Sequence, residues 1–204
     1  AQTLAGYENV RIVPGDILKV NIPEITGNIP FKVVANLPYY ITTPIIMALL
    51  EQHLPISRLV TMVQKEVALR MIAEPGKKDY GALSVAVQYY TRPKIALDVP
   101  PKSFLPAPEV DSVVICCDVR EHPPVEVLEE KMFFRVVKAA FGQRRKTLNN
   151  ALKAMGLEKD AVKTILEKSE IDGVRRGETL SLEEFAKIAD AITGAARATA
   201  DEQE

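Results

Sequence analysis

A short apolar strand that runs directly into a proline turn constrains the fold of this chain more than any other feature. Residues 32–35 read Lys-Val-Val-Ala, a run typical of a strand buried in a sheet, and Asn36, Leu37, Pro38 and Tyr39 follow at once. Pro38 lacks an amide hydrogen, which favours a turn at the end of the strand. Open α/β sheets bind their ligands at the carboxyl ends of parallel strands, so the sequence predicts a functional site at this tetrapeptide.

The residue types of the tetrapeptide suit recognition of an exocyclic amine on a nucleobase. The Asn36 side chain offers an oxygen acceptor, and a turn at Pro38 presents backbone carbonyls such as that of Leu37. Tyr39 offers an aromatic face, and stacking on such a face stabilises a bound base by roughly 1–3 kcal/mol. Positioning carries much of the rate in such a reaction, so no histidine or cysteine centre is required. Taken alone, the tetrapeptide is equally compatible with a plain strand-ending turn.

Alternating strand and helix patterns with short connections predict a mostly parallel sheet covered on both faces. Thr43 followed by Pro44 is predicted to cap and begin a helix. The stretch 83–90 suits a strand and a helix alike. The predicted strands span residues 10–13, 32–35, 59–63, 95–99 and 112–119, and a helix is predicted over residues 66–71.

His122-Pro123-Pro124 is the predicted domain boundary, with an α/β body over residues 1–121 and a small helical domain over residues 122–204. Apolar residues recur at helical spacing from Phe133 to Ala140, and further helices are predicted over residues 161–168 and 182–192. Ser181 and Glu184 have the spacing of a capping box at the start of the last helix.

The charges of the chain are unevenly distributed around a net charge of -1. A local basic stripe on a nearly neutral protein predicts one defined anionic surface rather than general binding to nucleic acid. A solvated helix face is the alternative interpretation. Every charged residue from 131 to 153 is basic: Lys131, Arg135, Lys138, Arg144, Arg145, Lys146 and Lys153.

The sequence also bears on the compartment. A run of about 18 apolar residues is missing, so no membrane span is predicted, and the first residues lack the pattern of a signal peptide. Cys116 and Cys117 are adjacent, which favours buried thiols in a strand over a disulfide framework. A reducing, cytoplasmic setting is therefore expected, and no metal site is predicted.

Further blocks of sequence accompany the tetrapeptide in a fixed order. They are ITTP (41–44), QKEV (64–67), YGALSV (80–85), QYY (88–90), VPP (99–101), FLPAPEVDS (104–112), FGQRRKT (141–147) and RRGETLS (175–181). Together they cover almost the whole chain, which resembles the ribosomal RNA adenine dimethyltransferases, the family whose bacterial member confers kasugamycin sensitivity. The resemblance implies a Rossmann-like class I methyltransferase sheet, incomplete in this chain, followed by a small all-α domain.

The family's activity implies S-adenosylmethionine as methyl donor and two adjacent adenosines near the 3′ end of small-subunit rRNA as substrate, each receiving two methyl groups during ribosome assembly. By position, Asn36 and Leu37 would accept from the adenine amine at the Pro38 turn, and Tyr39 and Phe104 would stack on the base. A core anchor for its loop is the alternative role of Phe104.

The resemblance also implies contacts to the donor and to RNA. Asp16 is similar in position to the acid that contacts the donor's adenine, with Ile17 donating from its backbone and Asn36 nearby; a simple turn residue is the alternative for Asp16. The predicted RNA contacts are Arg144, Arg145 and Lys146, with Arg175, Arg176 and Lys65 as weaker candidates. Structural pairing with Glu178 or the acidic tail is an equal alternative for the two later arginines.

The chain departs from the family in one respect. Family members carry a Glu-x-Gly-x-Gly loop after their first strand and an acid after the second, and neither pattern occurs here. We therefore expect the polypeptide alone to bind the donor poorly and to be inactive. We also expect an unpaired edge at residues 32–35 that promotes dimerisation, whereas the complete protein is expected to be a monomer.

Two other functions compete with this interpretation. The antibiotic-resistance methyltransferases of large-subunit rRNA share the strand-end loop, but they usually carry Ile where this chain has Leu37, and they lack the block at residues 143–147. A non-catalytic RNA-binding assembly factor would also fit the missing donor loop. A Glu-x-Gly-x-Gly sequence encoded immediately upstream would favour the enzyme.

Overall fold

The computed structural model of the chain describes residues 6–142 and 145–201, which form an α/β body followed by packed helices. In chain order the elements are α1 (Ile22–Thr26), β1 (Phe31–Asn36), α2 (Thr42–Glu51), β2 (Ile56–Gln64), α3 (Lys65–Ile72), α4 (Ala82–Tyr90), β3 (Thr91–Val99), β4 (Ser112–Val119), α5 (Glu130–Gly142), α6 (Leu148–Lys153), α7 (Lys159–Lys168) and α8 (Leu182–Asp201). Short 3₁₀ turns span Tyr39–Ile41, Pro101–Ser103 and Gly177–Thr179.

The four strands form one mixed sheet in the order β1-β2-β4-β3. β1 runs parallel to β2, whereas β4 is antiparallel to both β2 and β3. The α/β class is confirmed, but the expectation of a mostly parallel sheet is wrong for the described strands. The reason lies in the segment between β3 and β4, which reverses the chain without a crossover helix, as only antiparallel neighbours allow.

The predicted strand at residues 10–13 is also wrong, because the structure gives this segment an irregular path. Its apolar residues are largely exposed, and none of the described strands pairs with it. β-propensity expresses packing on a neighbouring strand, so the same residues form no strand without one. β1 consequently lies at one edge of the described sheet, where Val34 is 81% exposed.

Two predicted helix boundaries differ clearly from the structure: α8 runs to Asp201 instead of ending at residue 192, and α2 begins before its expected cap. α2 begins at Thr42, one residue before the expected cap, and its first side chain is used differently from a cap. The buried Thr42 hydroxyl donates to the carbonyl of Pro38 at 3.0 Å, which ties the helix start to the tetrapeptide.

The ambiguous stretch 83–90 is helical. Its alternating pattern arises because α4 is buried on nearly every side, between α2 and α3 on the body and α5 of the helical part. Tyr89 of α4 stacks on Phe133 of α5 with ring centroids 4.9 Å apart. Body and helices therefore share a continuous core, and the boundary between residues 121 and 122 stays a prediction.

The predicted cysteine strand is confirmed as part of β4, and both cysteines are free thiols, but only Cys117 is buried, whereas Cys116 is half-buried. Burial raises the pKa of the Cys117 thiol to about 12, so it stays protonated and unreactive at neutral pH. Among the described helices, none has the length and apolar character needed to cross a membrane.

Candidate active site

The tetrapeptide and Phe104 meet at one open cavity of about 360 Å³ at the carboxyl end of β1. Residues 36–39 are thus brought together with a loop that lies far away in the sequence. The lining consists of Asn36, Leu37, Pro38, Tyr39, Phe104, Pro106 and Pro108. We call this cavity the base pocket.

The first wall of the base pocket is positioned by the end of β1 and the start of α2. Asn36 is the last residue of β1 and lies opposite Met62 of β2, which fixes the height at which its side chain leaves the sheet. The carbonyl of Pro38 accepts from the Ile41 amide at 3.1 Å as well as from Thr42. Among the described residues, none hydrogen-bonds the exposed Asn36 side chain, so its amide oxygen is available to a ligand.

The second wall is the proline-rich segment that follows β3. A 3₁₀ turn over Pro101–Ser103 precedes Phe104, whose amide donates to the carbonyl of Pro101 at 3.1 Å. Phe104 is half-buried and lines the cavity, and its stacking on a base stays a prediction.

The two walls are joined by a hydrogen bond of 2.5 Å between the Tyr39 hydroxyl and Ser112 Oγ. Ser112 is the first residue of β4 and is almost completely buried, so it fixes the Tyr39 ring from below. The sequence analysis missed this role. The available signal was the position of Ser112 at the end of the block that begins with Phe104, but spacing alone did not connect it to Tyr39.

Lys65 lies near the base pocket but is already engaged. Its backbone amide donates to the carbonyl of Asp111, and its ammonium donates to Asp98 at 2.9 Å. The hydrogen bond that Lys65 donates to Asp98 raises the pKa of Lys65, which stays charged and paired with that carboxylate.

A second cavity of about 430 Å³ lies on the other side of Leu37. Its lining is mainly apolar and includes Ile17, Ala35 and Leu37, with Arg11 as the charged member among the described residues. Because Leu37 borders both cavities, we call the second one the donor-side cavity. Ile17 lines the donor-side cavity and Asn36 lines the base pocket, and the contact of either residue to a donor stays a prediction.

Asp16 forms the turn at the edge of the donor-side cavity. One carboxylate oxygen accepts from the Leu18 amide at 3.0 Å, and the other lies 3.5 Å from the Lys19 ammonium. The Asp16 carbonyl accepts from the amides of Lys19 and Val20. The turn role that the sequence left open for Asp16 is thus present, and its role toward a donor stays a prediction.

The basic stripe is exposed along α5 and the turn that follows it. Lys131, Arg135 and Lys138 fall on one helical face, and Arg145 and Lys146 are exposed beyond the helix. Arg144 lies outside the described residues.

The two later arginines differ. The Arg175 guanidinium forms an ion pair with Glu184 and donates to the carbonyl of Thr179 at 2.7 Å. This geometry favours structural pairing, although with Glu184 rather than with the partners that the sequence suggested. Arg176 is exposed, and its contact to RNA stays a prediction.

Residues 1–189 match the family model described as ribosomal RNA adenine dimethylase. The chain belongs to this family.

Similar proteins from several bacteria carry the name ribosomal RNA small subunit methyltransferase A. The protein of Moorella thermoacetica is 55% identical over 196 residues, covering 92% of this chain and 68% of the relative. The protein of Clostridioides difficile is 52% identical over 195 residues, covering 93% of this chain and 68% of the relative.

Two solved structures share the fold at low identity. A dimethyladenosine transferase from Plasmodium falciparum aligns with a TM-score of 0.74 at 24% identity, over 91% of this chain and 73% of its own. The 23S rRNA methyltransferase ErmE aligns with a TM-score of 0.65 at 22% identity, over 94% of this chain and 75% of its own. These likenesses confirm the Rossmann-like methyltransferase fold expected from the sequence.

Proposed function

We propose that this chain forms the target-base side of an enzyme that dimethylates adenosines of small-subunit rRNA at N6. The family is that of the rRNA adenine N6-dimethyltransferases, which use S-adenosylmethionine as methyl donor. The observation that carries the proposal is the single base pocket to which Asn36, Leu37, Tyr39 and Phe104 all contribute.

The role of Asn36 and Leu37 follows from the electronic structure of adenine. The lone pair of the N6 amine is delocalised into the ring, so the amine is a poor nucleophile. Hydrogen bonds from the amine to the Asn36 side-chain oxygen and the Leu37 carbonyl favour the pyramidal geometry in which the lone pair is free. Asn36 ends β1 and Leu37 follows it, so the sheet fixes the backbone that carries both acceptors, and such positioning lowers a barrier.

Tyr39 and Phe104 hold the plane of the base. Both rings line the base pocket, and the Tyr39–Ser112 hydrogen bond ties the Tyr39 ring to the start of β4. A base removed from its stack recovers stacking energy on such aromatic rings.

The described residues fit only one end of the donor. Ile17 and Leu37 offer apolar contacts suited to the donor's adenine ring, with Asp16 and Asn36 as the predicted polar contacts. The ribose hydroxyls and the ammonium of the donor require acceptors, and no carboxylate lies among the described residues that line the donor-side cavity. When bound, the donor supplies an electrophilic methyl group beside the base pocket.

Calorimetric titration with S-adenosylmethionine tests this mismatch. We expect a dissociation constant above roughly 100 µM, because the cavity offers mainly apolar contacts to a charged ligand. Tight micromolar binding would contradict the weak donor site, and with it the expectation that the chain alone is inactive.

The substrate is proposed to be the pair of adjacent adenosines near the 3′ end of small-subunit rRNA, in the assembling subunit and in the cytoplasm. Relatives at about 50% identity named for the small subunit support this choice over large-subunit rRNA. Arg145 and Lys146, with Arg144 and Arg176, are proposed to contact RNA phosphates, which makes affinity depend on salt. Tighter binding to a large-subunit hairpin than to the small-subunit hairpin would overturn the assignment.

A thermodynamic cycle between Asn36 and the target amine tests the site itself. The affinity of the chain for a hairpin with two adjacent adenosines is compared with its affinity for the same hairpin carrying purine riboside, which lacks the amine. We expect the wild type to lose roughly fivefold on removal of the amine, and Asn36→Ala to bind both hairpins equally. Asn150→Ala, an exposed asparagine on α6, is the control and should keep the wild-type difference. Equal sensitivity of wild type and Asn36→Ala to the amine would remove Asn36 from the site.

A second copy of the chain is the proposed partner of the open β1 edge, whereas the complete enzyme is proposed to be a monomer. The edge is apolar and unpaired among the described strands, and such edges pair with other chains. Sedimentation equilibrium should detect dimers, and Val34→Lys should raise the dissociation constant at least roughly tenfold. Val174→Lys, which changes an exposed valine of the helical part, is the control. A strictly monomeric wild type would exclude the pairing.

A further inference from the structure

The two most exposed large hydrophobic side chains of the described residues belong to chain neighbours of the residues that line the base pocket. Tyr40 is 88% exposed and Leu105 is 101% exposed. Single exposed hydrophobic residues are ordinary on protein surfaces, but here each of the two extremes is a direct chain neighbour of residues that line the same cavity. Tyr40 follows the lining residue Tyr39, and Leu105 lies between the lining residues Phe104 and Pro106.

A 3₁₀ turn or a proline restrains the backbone that carries each of these side chains. Tyr40 is the middle residue of the 3₁₀ turn that the Pro38 carbonyl closes through Ile41 and Thr42. Leu105 follows a second 3₁₀ turn and precedes Pro106, so its segment is stiffened by proline. Little conformational entropy is then lost when a ligand covers them, which distinguishes them from apolar residues on a loose loop.

We propose that Tyr40 and Leu105 form a rim that binds the nucleotide adjacent to the target adenosine, with Tyr40 stacking on its base and Leu105 packing against its sugar or base edge. The proposal rests on the proposed function, because the adjacent nucleotide is defined by the base in the pocket. A polynucleotide whose base enters this cavity must leave its neighbours outside it, next to the lining segments that carry these two exposed side chains.

The chemistry of the rim fits an unstacked base. Withdrawal of the target base breaks its stacking with the neighbour and exposes one face of that neighbour to water. An aromatic ring at the mouth restores a stacking partner, and an apolar side chain beside it excludes water. With two adjacent adenosines as substrate, the rim holds one adenosine while the other occupies the base pocket.

A binding cycle with abasic RNA tests the rim. The hairpin loop carries one adenosine as target, and its 5′ and 3′ neighbours are replaced in turn by an abasic nucleotide. We expect one of these replacements to weaken wild-type binding roughly tenfold and to have no effect on Tyr40→Ala. Tyr40→Phe should behave as wild type, and Leu105→Ala should lose a few fold in affinity.

Matched controls separate the rim from general apolar contacts. Tyr7→Ala in the amino-terminal segment and Leu97→Ala on β3 remove exposed residues of the same types away from the base pocket, and both should stay within twofold of the wild type. Circular dichroism verifies that each variant is folded, and sedimentation shows whether it keeps the oligomeric state of the wild type.

The outcomes distinguish the rim from the proposed function. If Tyr40→Ala loses the same factor as wild type on each abasic replacement, the rim is overturned, while coupling between Asn36 and the target amine leaves the base pocket intact. If the wild type does not bind the hairpin, both proposals fall together. If Tyr40→Ala changes only the oligomeric state, Tyr40 contacts a second protein copy and the RNA rim is wrong.

Discussion

The two cavities that meet at Leu37 differ in how their walls are held. The walls of the base pocket are joined by the hydrogen bond between Tyr39 and Ser112, residues 73 positions apart in the chain. The turn beside the donor-side cavity is held by Asp16, whose hydrogen bonds reach residues only two to four positions away. The base pocket is therefore held by a contact between distant parts of the chain, whereas the turn at the edge of the donor-side cavity is held by local contacts.

The two kinds of contact differ in how easily they open. Contacts between distant residues break only when the packed sheet opens, whereas a local turn opens by itself at small free-energy cost. The base pocket is thus preorganised for a rigid aromatic ligand. The turn at the edge of the donor-side cavity is held by local hydrogen bonds, so it is expected to open more readily than the base pocket.

Hydrogen exchange should show the largest contrast. No backbone hydrogen bond is described for the amides of residues 7–15, so we expect them to exchange nearly as fast as in an unfolded chain. The amides of residues 59–63 on β2 lie between two neighbouring strands and should exchange at least roughly a thousandfold more slowly. If the amides of residues 10–13 were protected as strongly as those of residues 59–63, the amino-terminal segment would form a strand, as the sequence predicts, and the two regions would not differ in stability.

The same contrast marks what the sequence could predict. The role of residues 32–39 could be predicted from these residues alone. An apolar run ends there at a proline turn, and the residue types of the turn suit a nucleobase amine. Phe104 was predicted from its own proline-rich surroundings together with the family resemblance. The structure brings these predicted residues to one cavity.

Pairings between distant residues could not be predicted in this way. Apolar periodicity reports burial rather than the identity of a neighbour, so residues 10–13 were predicted as a strand and Ser112 was not linked to Tyr39. The use of Thr42 was missed for a related reason, since its hydroxyl bonds to the Pro38 carbonyl instead of capping α2. The direction of β4 likewise depends on how a long connection returns.

Two buried hydroxyls allow the comparison to be tested by stability. Ser112 Oγ, on the base-pocket side, is hydrogen-bonded to Tyr39, whereas Thr61 Oγ1 lines the donor-side cavity without a partner among the described residues. We expect Ser112→Ala to lower the free energy of unfolding by about 1–2 kcal/mol, because a bonded hydroxyl is lost at a buried position. Thr61→Val should be neutral or slightly stabilising, since it removes an unsatisfied hydroxyl.

Urea unfolding measures both effects, and Tyr39→Phe completes a double-mutant cycle with Ser112→Ala. Coupling of about 1 kcal/mol between the two changes is expected if the hydrogen bond joins the walls. Additive losses would show that Tyr39 and Ser112 act independently. A large loss in Thr61→Val would show that its hydroxyl has a partner after all.

The smallest expected effect concerns the Arg175–Glu184 pair, which holds the loop next to Arg145 and Lys146. The guanidinium of Arg175 hydrogen-bonds Glu184 and holds the pKa of that carboxyl below its usual value. Glu184 also accepts from the Ser181 amide at 2.9 Å, as the predicted capping box requires. The Arg175 carbonyl accepts from the Leu148 amide at 2.8 Å, so the pair fixes the loop on which α6 begins, beside Arg145 and Lys146.

Glu184→Gln should therefore lower the free energy of unfolding by about 1 kcal/mol at pH 7, a modest value because the two side chains are 32% and 29% exposed. Because the pKa of Glu184 is lower in the folded than in the unfolded protein, its carboxylate stabilises the fold at pH values above the unfolded pKa of about 4.3. This stabilisation is lost as the pH falls through the folded pKa. Urea unfolding from pH 7 to pH 3 should thus show the difference between wild type and Glu184→Gln shrinking below about pH 4. Glu183→Gln, which changes the exposed neighbour on α8, is the control. If the difference in the free energy of unfolding between wild type and Glu184→Gln were the same at pH 3 as at pH 7, the carboxylate charge would not stabilise this loop.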